Sequence, residues 1–288
     1  MEMDMQDTPA TVPEKVHAEL GPSSSDIWLT CLQAPREWKR YPPRITGFAA
    51  HEGTLAHTLC EAALLARQIP WTPGQTYTVE GDLVTITQEM LDAVQLYTTT
   101  VNMISDFALW RIIEKKVSFS WPWGVDWAPD LFGTSDFAAA DSDALYVVDF
   151  KYGRGKAVHV EGNTQLLCYG VGVYGMLRQE RPDLADTIRH VSLTVVQPRV
   201  GGEPVRQWTI PIEELIYWTY AVLKPSVDKI LSPVPLPLVP GNHCYFCAAS
   251  QECPAYRTFR FRDVPPFPEL SFQEHAKIDT IFLDTSPI

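Results

Sequence analysis

Two acidic residues and a lysine in the middle of the 288-residue chain have a spacing that brings their side chains together. Asp136 lies in a predicted strand at 131–139, and Asp149 and Lys151 lie in a second predicted strand at 144–151. Alternate residues of a strand share a face, so the side chains of Asp149 and Lys151 point the same way. A short polar turn folds the strands onto each other and places Asp136 opposite the region around Asp149.

Two carboxylates beside one amine are suited to hydrolysis of a phosphodiester bond. Carboxylate oxygens bind the hard cations Mg²⁺ and Mn²⁺. Such a cation generates a nucleophilic hydroxide and stabilises the charge that grows on the phosphate. A nearby lysine neutralises the transition state or orients the attacking water. A lone Asp-x-Lys triplet is common, however, and by itself it is more simply a polar end of an edge strand.

Two further pairs of residues have helical spacing. Gln165 and Tyr169 lie on a predicted helix after the second strand, and His57 and Glu61 lie on a predicted helix near the start of the chain. Residues four apart share one face of a helix, and imidazole is a common metal ligand. Each pair taken alone is more simply a packing or surface contact.

Taken together and in order, these residues resemble the PD-(D/E)XK nuclease superfamily in its RecB-like branch. The shared pattern is a Gly-x-x-x-His helix, a strand with Asp, a strand with Asp-x-Lys and a helix with Gln-x-x-x-Tyr, and it covers residues 53–169. The resemblance implies an α/β fold with a restriction-endonuclease-like core, which is a central mixed β-sheet flanked by helices. It also implies metal-dependent cleavage of DNA. Ser135 stands where the family pattern has a proline, a departure that the superfamily often shows.

The resemblance implies a role for each residue of the pattern. The implied metal ligands are His57, Asp136, Asp149 and the carbonyl group of Phe150. The implied catalytic lysine is Lys151. Gln165 and Tyr169 are implied to contact DNA or to shape the catalytic site.

Three of the six cysteines form a tight cluster, Cys244-x2-Cys247-x5-Cys253. This spacing lets thiolates bind one metal centre, and disulfides are rare in the cytoplasm. Cys31 is the best candidate for a fourth ligand. The remaining two cysteines lie in apolar helical segments and are expected to be core thiols.

One cysteine before the core and three after it is a layout similar to that of the iron–sulfur nucleases of the RecB-like branch. AddB-type helicase–nuclease subunits and CRISPR-associated and phage exonucleases share this layout. Four thiolates suit a 4Fe-4S cluster. The alternative is Zn²⁺ bound by the clustered cysteines with His243 or Cys31. Either centre would connect the two ends of the chain, a constraint comparable to that of a disulfide.

The pattern of polar and apolar residues divides the chain into four segments. They are a flexible acidic arm at 1–22, a nuclease core at 23–231, a cysteine-cluster segment at 232–264 and a tail at 265–288. No apolar run is long enough to span a membrane, and the N-terminus lacks a secretory signal. The sequence therefore predicts a cytoplasmic protein without a membrane partner, in a bacterial host cell or encoded by a phage.

The formal net charge of −12 argues against a protein that coats nucleic acid non-specifically, but it is compatible with an enzyme that has a local basic groove. No base-reading module is evident, so exonuclease action is expected rather than sequence-specific cleavage. The expected partners are DNA, either single-stranded or a duplex with an end, and a protein of recombination, repair or CRISPR-linked processing. The alternative is a catalytically silent DNA-binding or assembly protein of the same fold, with a structural zinc or iron–sulfur site.

Overall fold

The computed structural model describes residues 10–13, 18–41, 47–155 and 157–261. The predicted arm at 1–22 lies partly outside these residues, and the predicted tail at 265–288 lies entirely outside them. Within the described residues the chain is mixed α/β with helices flanking its sheets, as the sequence predicts, but it has two β-sheets where one central sheet was expected.

Groups of strands and groups of helices follow one another along the chain. The strands are β1 (Ala10–Thr11), β2 (Thr76–Val79), β3 (Asp82–Thr85), β4 (Trp110–Ser118), β5 (Phe132–Ala140), β6 (Ala144–Phe150), β7 (His190–Val196) and β8 (Val205–Pro211). The helices are α1 (Ser25–Thr30), α2 (Ala34–Trp38), α3 (Phe48–Ala66), α4 (Gln88–Ser105), α5 (Thr164–Glu180), α6 (Pro182–Ala185), α7 (Ile212–Trp218), α8 (Lys224–Leu231) and α9 (Pro254–Phe261). Every helix in the described ranges is too short or too polar to cross a bilayer.

Strands β4 to β8 form the larger sheet, in chain order from edge to edge. Neighbouring strands are antiparallel except β6 and β7, which are parallel and are connected by α5 across one face of the sheet. In the β5–β6 pair, Phe137 is opposite Val148. Continuing this register by one residue brings Asp136 beside Asp149, as predicted.

The larger sheet is covered on both faces, so its central strands are mostly apolar, with Asp136 and Asp149 as buried exceptions. Leu145 and Val147 pack toward α5, in a core that also includes residues of α7 and α8. Val148 and Phe150 pack on the opposite face, against residues of α3 and α4. Helix α5 approaches the sheet closely because Gly172 has no side chain, and a Cβ there would lie 3.0 Å from Val117 Cγ2.

The N-terminal residues pack against the sheet and the start of α5. Trp28 is fully buried, and its indole N–H donates to the carbonyl of Gly21 at 3.0 Å. The hydroxyls of Ser25 and Thr164 form a hydrogen bond of 2.7 Å between α1 and α5. Strand β1 pairs with β2, which forms a hairpin with β3 in the smaller, three-stranded sheet. The described residues of the segment before the core, 10–13 and 18–22, are thus built into the fold.

Two segments of the structure depart from the elements that local sequence patterns predict. The apolar periodicity at 88–111 predicts one long helix, but α4 ends at Ser105, because the following turn leads directly into β4 at Trp110. The proline- and arginine-rich sequence at 34–47 predicts a loop, but the segment begins with the short helix α2. Pro35 lies in the first turn of that helix, where a proline costs no hydrogen bond.

Candidate functional site

The residues of the acidic and helical motifs, with the exception of Glu61, line one cleft at an end of the larger sheet. The cleft has a volume of about 660 Å³. The motif residues that line it are His57, Asp136, Asp149, Phe150, Lys151, Gln165 and Tyr169. They come from α3, β5, β6, the residue after β6 and α5, so the fold brings together groups that lie up to 112 positions apart in the sequence.

Helix α5 positions Gln165 because of a capping interaction at its start. The side chain of Asn163 accepts a hydrogen bond from the backbone N–H of Leu166 at 3.1 Å, which fixes the first turn beside the ends of β5 and β6. From this turn, the amide of Gln165 donates to Asp149 Oδ1 at 3.0 Å. One turn later, the ring of Tyr169 lies against Gly133, where a Cβ would be 3.1 Å from its Cε1 atom.

Asp149 is the most enclosed carboxylate of the cleft, with 3% of its surface exposed. Lys151 Nζ lies 3.1 Å from its Oδ1 and 2.8 Å from its Oδ2, so both side chains lie on the same face, as the strand alternation predicts. Burial raises the pKa of Asp149; Lys151 offsets this effect only in part, and Asp136 adds to it. The hydrogen bonds from Lys151 and Gln165 hold the Asp149 carboxylate in one orientation.

Asp136 has the opposite electrostatic balance. Its Oδ2 accepts the backbone N–H of Phe150 at 2.7 Å, and its Oδ1 lies 3.3 Å from His57 Nδ1. Burial works to raise the pKa of Asp136, but His57 and the Phe150 N–H outweigh burial and lower it. The environments thus push the pKa values of Asp136 and Asp149 apart, which is typical of carboxylates with different chemical roles.

His57 faces two carboxylates. Besides Asp136, its Nδ1 lies 3.8 Å from Glu114 Oε1. Burial lowers the pKa of the imidazole, but Asp136 and Glu114 together raise it to about 10. One ligand atom from each of His57, Glu114 and Asp136 lies within 4.8 Å of the other two, a grouping that could hold a metal ion.

Glu114 is a member of this grouping that the sequence motifs missed. It lies on β4, and only 5% of its side chain is exposed. The local sequence gives no signal for this burial, because Glu114 precedes two exposed lysines on an edge strand of which only Ile112 and Val117 are buried. A buried carboxylate is costly without a partner, so its position predicts that a cationic or polar group faces it.

The four predicted cluster cysteines line a second, small cavity of about 20 Å³ together with His243. Cys31, Cys244 and Cys247 are buried, Cys253 is partly exposed, and all four are free thiols. Helix α1 packs against the 3-10 turn Asn242–Phe246, which brings Cys31 to the other three.

Backbone N–H groups point at two of these sulfurs. The N–H of Val239 donates to Cys31 Sγ and the N–H of Gly241 donates to Cys244 Sγ, each at 3.4 Å. His243 Nε2 lies 3.6 Å from Cys244 Sγ. The cavity is apolar on one side, where Ile27 and Ala34 pack with the cysteines.

The other two cysteines are core thiols, as the sequence predicts. Cys60 lies on α3 and Cys168 on α5, and each is at most 2% exposed. Burial raises the pKa of both thiols, so they stay protonated at neutral pH.

Residues 17–280 match the family described as Protein of unknown function (DUF2800). The match covers most of the chain and includes every residue of the cleft motifs and the four clustered cysteines. The chain therefore belongs to the DUF2800 family.

Proposed function

We propose that this protein is a metal-dependent DNA nuclease of the PD-(D/E)XK type, acting as an exonuclease. The observation that carries the proposal is the cleft, because the seven motif residues come from separate elements and still line the same space. A set of unrelated surface polar residues has no reason to converge in this way. The proposal includes the finer description of the larger sheet as a restriction-endonuclease-like core.

The residues of the cleft fit a divalent cation. A buried carboxylate, a second carboxylate with a lowered pKa and an imidazole nitrogen 3.3 Å from it are the donor types that Mn²⁺ and Mg²⁺ sites use. His57, Asp136, Asp149 and the Phe150 carbonyl would hold the ion. When bound, the ion supplies Lewis-acid stabilisation of the phosphate and activates water.

The chain's own residues orient the reactants. Lys151 is partly exposed to the cleft and presents its ammonium group beside Asp149, where it donates to a phosphate oxygen or to the attacking water. Gln165 fixes Asp149 from the other side. Tyr169 offers an aromatic face at the wall of the cleft, which suits contact with a nucleotide.

The walls of the cleft favour a strand end as the substrate. Residues of the N-terminal segment at 21–24, of α3 and of the β2–β3 turn line it together with the sheet. A space bounded on several sides accepts an end more easily than the middle of a duplex. We therefore propose single-stranded DNA or a duplex with an end as the substrate, in phage or host recombination and repair or in CRISPR-linked processing with a partner protein.

We further propose that Cys31, Cys244, Cys247 and Cys253 hold a 4Fe-4S cluster, with Zn²⁺ as the alternative. Support comes from four free thiols around one cavity and from two backbone N–H groups directed at sulfur, since such hydrogen bonds tune iron–sulfur centres. The proposed role is to fasten the C-terminal segment to α1 as a small subdomain.

The direct test is incubation of end-labelled single- and double-stranded DNA with Mg²⁺ or Mn²⁺. We expect the wild type to shorten the labelled strand and Asp149→Ala to leave it intact while staying folded. Asp183→Ala is the matched control, because Asp183 is exposed at the start of α6 and outside the cleft. Absence of cleavage by the folded, metal-loaded wild type would instead support the catalytically silent DNA-binding alternative.

A further inference from the structure

An irregularity in the larger sheet directs Glu114 toward His57. Glu114 has a φ of 44°, which a residue with a side chain rarely adopts inside a strand. Ile112 and Val117 both pack in the core beneath α5 although an odd number of positions separates them. In a regular strand they would face opposite sides. The left-handed conformation of Glu114 interrupts the alternation of side chains between the two faces of β4. The backbone therefore sets the direction of the Glu114 carboxylate.

Glu114 on β4 and Asp136 on the neighbouring strand β5 point toward the same place. Lys115 on β4 is opposite Ser135 on β5, and Ile113 is opposite Phe137, so Glu114 and Asp136 occupy facing positions. Two carboxylates side by side in a largely buried place repel each other. Their common partner is His57 Nδ1, at 3.8 Å from Glu114 Oε1 and 3.3 Å from Asp136 Oδ1.

We propose that Glu114 is a ligand of the divalent cation, so that His57 Nδ1, Glu114 Oε1 and Asp136 Oδ1 bind one Mn²⁺ ion. This inference deepens the proposed function and rests on it only for the identity of the cleft. Ligands about 2.1 Å from an octahedral ion lie roughly 3 to 4.2 Å from one another. The two distances from His57 fall in this interval. One imidazole with two carboxylates favours Mn²⁺ over Mg²⁺, which prefers an all-oxygen set with several waters.

A competing role for Glu114 is to pair with His57 without touching the ion. The two roles differ in what the ion loses when the carboxylate is removed. A ligand leaves a coordination position that water fills, whereas a residue that only orients His57 leaves the coordination shell unchanged. The number of waters bound to Mn²⁺ therefore separates the two roles, and it can be measured without DNA.

The experiment titrates Mn²⁺ into the chelator-free full-length protein, with bound and free ion distinguished by electron paramagnetic resonance. Glu114→Gln and Glu114→Ala are compared with the wild type and with Glu213→Gln, an exposed glutamate at the start of α7. Near-ultraviolet circular dichroism checks the fold of each variant, and Glu114→Gln preserves the side-chain volume if the alanine variant unfolds. Proton relaxation at saturating Mn²⁺ then counts the bound waters.

We expect the Kd for Mn²⁺ to rise at least tenfold in both Glu114 variants, and the alanine variant to gain one bound water, with Glu213→Gln unchanged. An unchanged Kd, or a higher Kd with the same number of waters in the alanine variant, would overturn the assignment. Because no DNA is present, the outcomes are separable. If the wild type cleaves DNA and Glu114→Ala binds Mn²⁺ normally, only this inference is removed. Weakened binding in a protein that never cleaves removes only the nuclease proposal.

Discussion

The protonation of His57 gives a quantitative check on the electrostatics of the cleft. In the protein free of divalent metal, burial lowers the pKa of the imidazole, but Asp136 and then Glu114 raise it to about 10. The gap from the ordinary value of 6.5 corresponds to about 5 kcal/mol in favour of the imidazolium. Asp136→Asn removes the stronger of the two attractions. We expect that variant to lower the pKa of His57 by about one to three pH units, the usual effect of one close opposite charge.

The sign of the matching stability effect follows from the raised pKa. The folded protein holds the His57 proton more tightly than the unfolded chain does. This contribution is complete below pH 6.5 and is lost as the pH rises toward about 10. Between these values, His57 alone lowers the free energy of unfolding by about 1.4 kcal/mol per pH unit. His57→Gln removes that slope.

The assay is a nuclear magnetic resonance titration of protein labelled with ¹³C at the histidine Cε1 position, in excess chelator. His57→Gln identifies the His57 signal, and the Asp136→Asn titration gives the change in its pKa. A His57 signal that titrates near 6.5 in the wild type would contradict the electrostatic reasoning. So would a signal that titrates at the same pH in Asp136→Asn.

Three further predictions concern the metal, the cysteines and the packing of the N-terminal segment. Cleavage should require Mg²⁺ or Mn²⁺ and stop in EDTA, and undiminished activity in excess chelator would exclude a metal-dependent enzyme. Cys31→Ser should lose about four irons per chain by metal analysis and melt at a lower temperature, whereas Cys60→Ser should keep its iron; stoichiometric zinc in the wild type would defeat the cluster but leave the fastening role. Gly133→Ala should cost about 1 to 3 kcal/mol in chemical unfolding, because its Cβ would lie 2.6 Å from Pro22 Cδ. Gly53→Ala, with nothing within 4 Å of the added Cβ, should be neutral or stabilising, and equal losses in both glycine variants would contradict the packing argument.

Local patterns were sufficient to predict the centre of the fold. The apolar runs of β5 and β6 and the polar turn between them fix both the strands and their register, so Asp136 and Asp149 are neighbours as expected. The 3.6-residue periodicity and the Asn163 cap define α5 in the same way. These features depend on residues close together in sequence, and this is why the sequence alone reveals them.

The missed features depend on tertiary context. Glu114 adopts a left-handed conformation inside a strand, and no local preference for glutamate predicts it. Sequence patterns also do not predict the end of α4 at Ser105, because the apolar periodicity of the helix continues into residues that belong to β4, from Trp110 onward. The N-terminal residues that line the cleft lie far in sequence from the motifs. No sequence pattern links Cys31 to Cys244, Cys247 and Cys253. Only the need of a metal centre for a fourth ligand suggests the link.

The central claim is that this cleft hydrolyses DNA, and the rate of cleavage by Lys151→Ala under single-turnover conditions tests it most directly. Excess metal-loaded enzyme is mixed with end-labelled DNA, and product is followed by gel electrophoresis. Lys229→Ala, an exposed lysine on α8, is the control. The account predicts a wild-type rate for the control and a rate about 100- to 1000-fold lower for Lys151→Ala, which is the usual loss when one charge-stabilising donor is removed. Equal rates for Lys151→Ala and the wild type would contradict the account, because the cleavage would then take place outside this cleft.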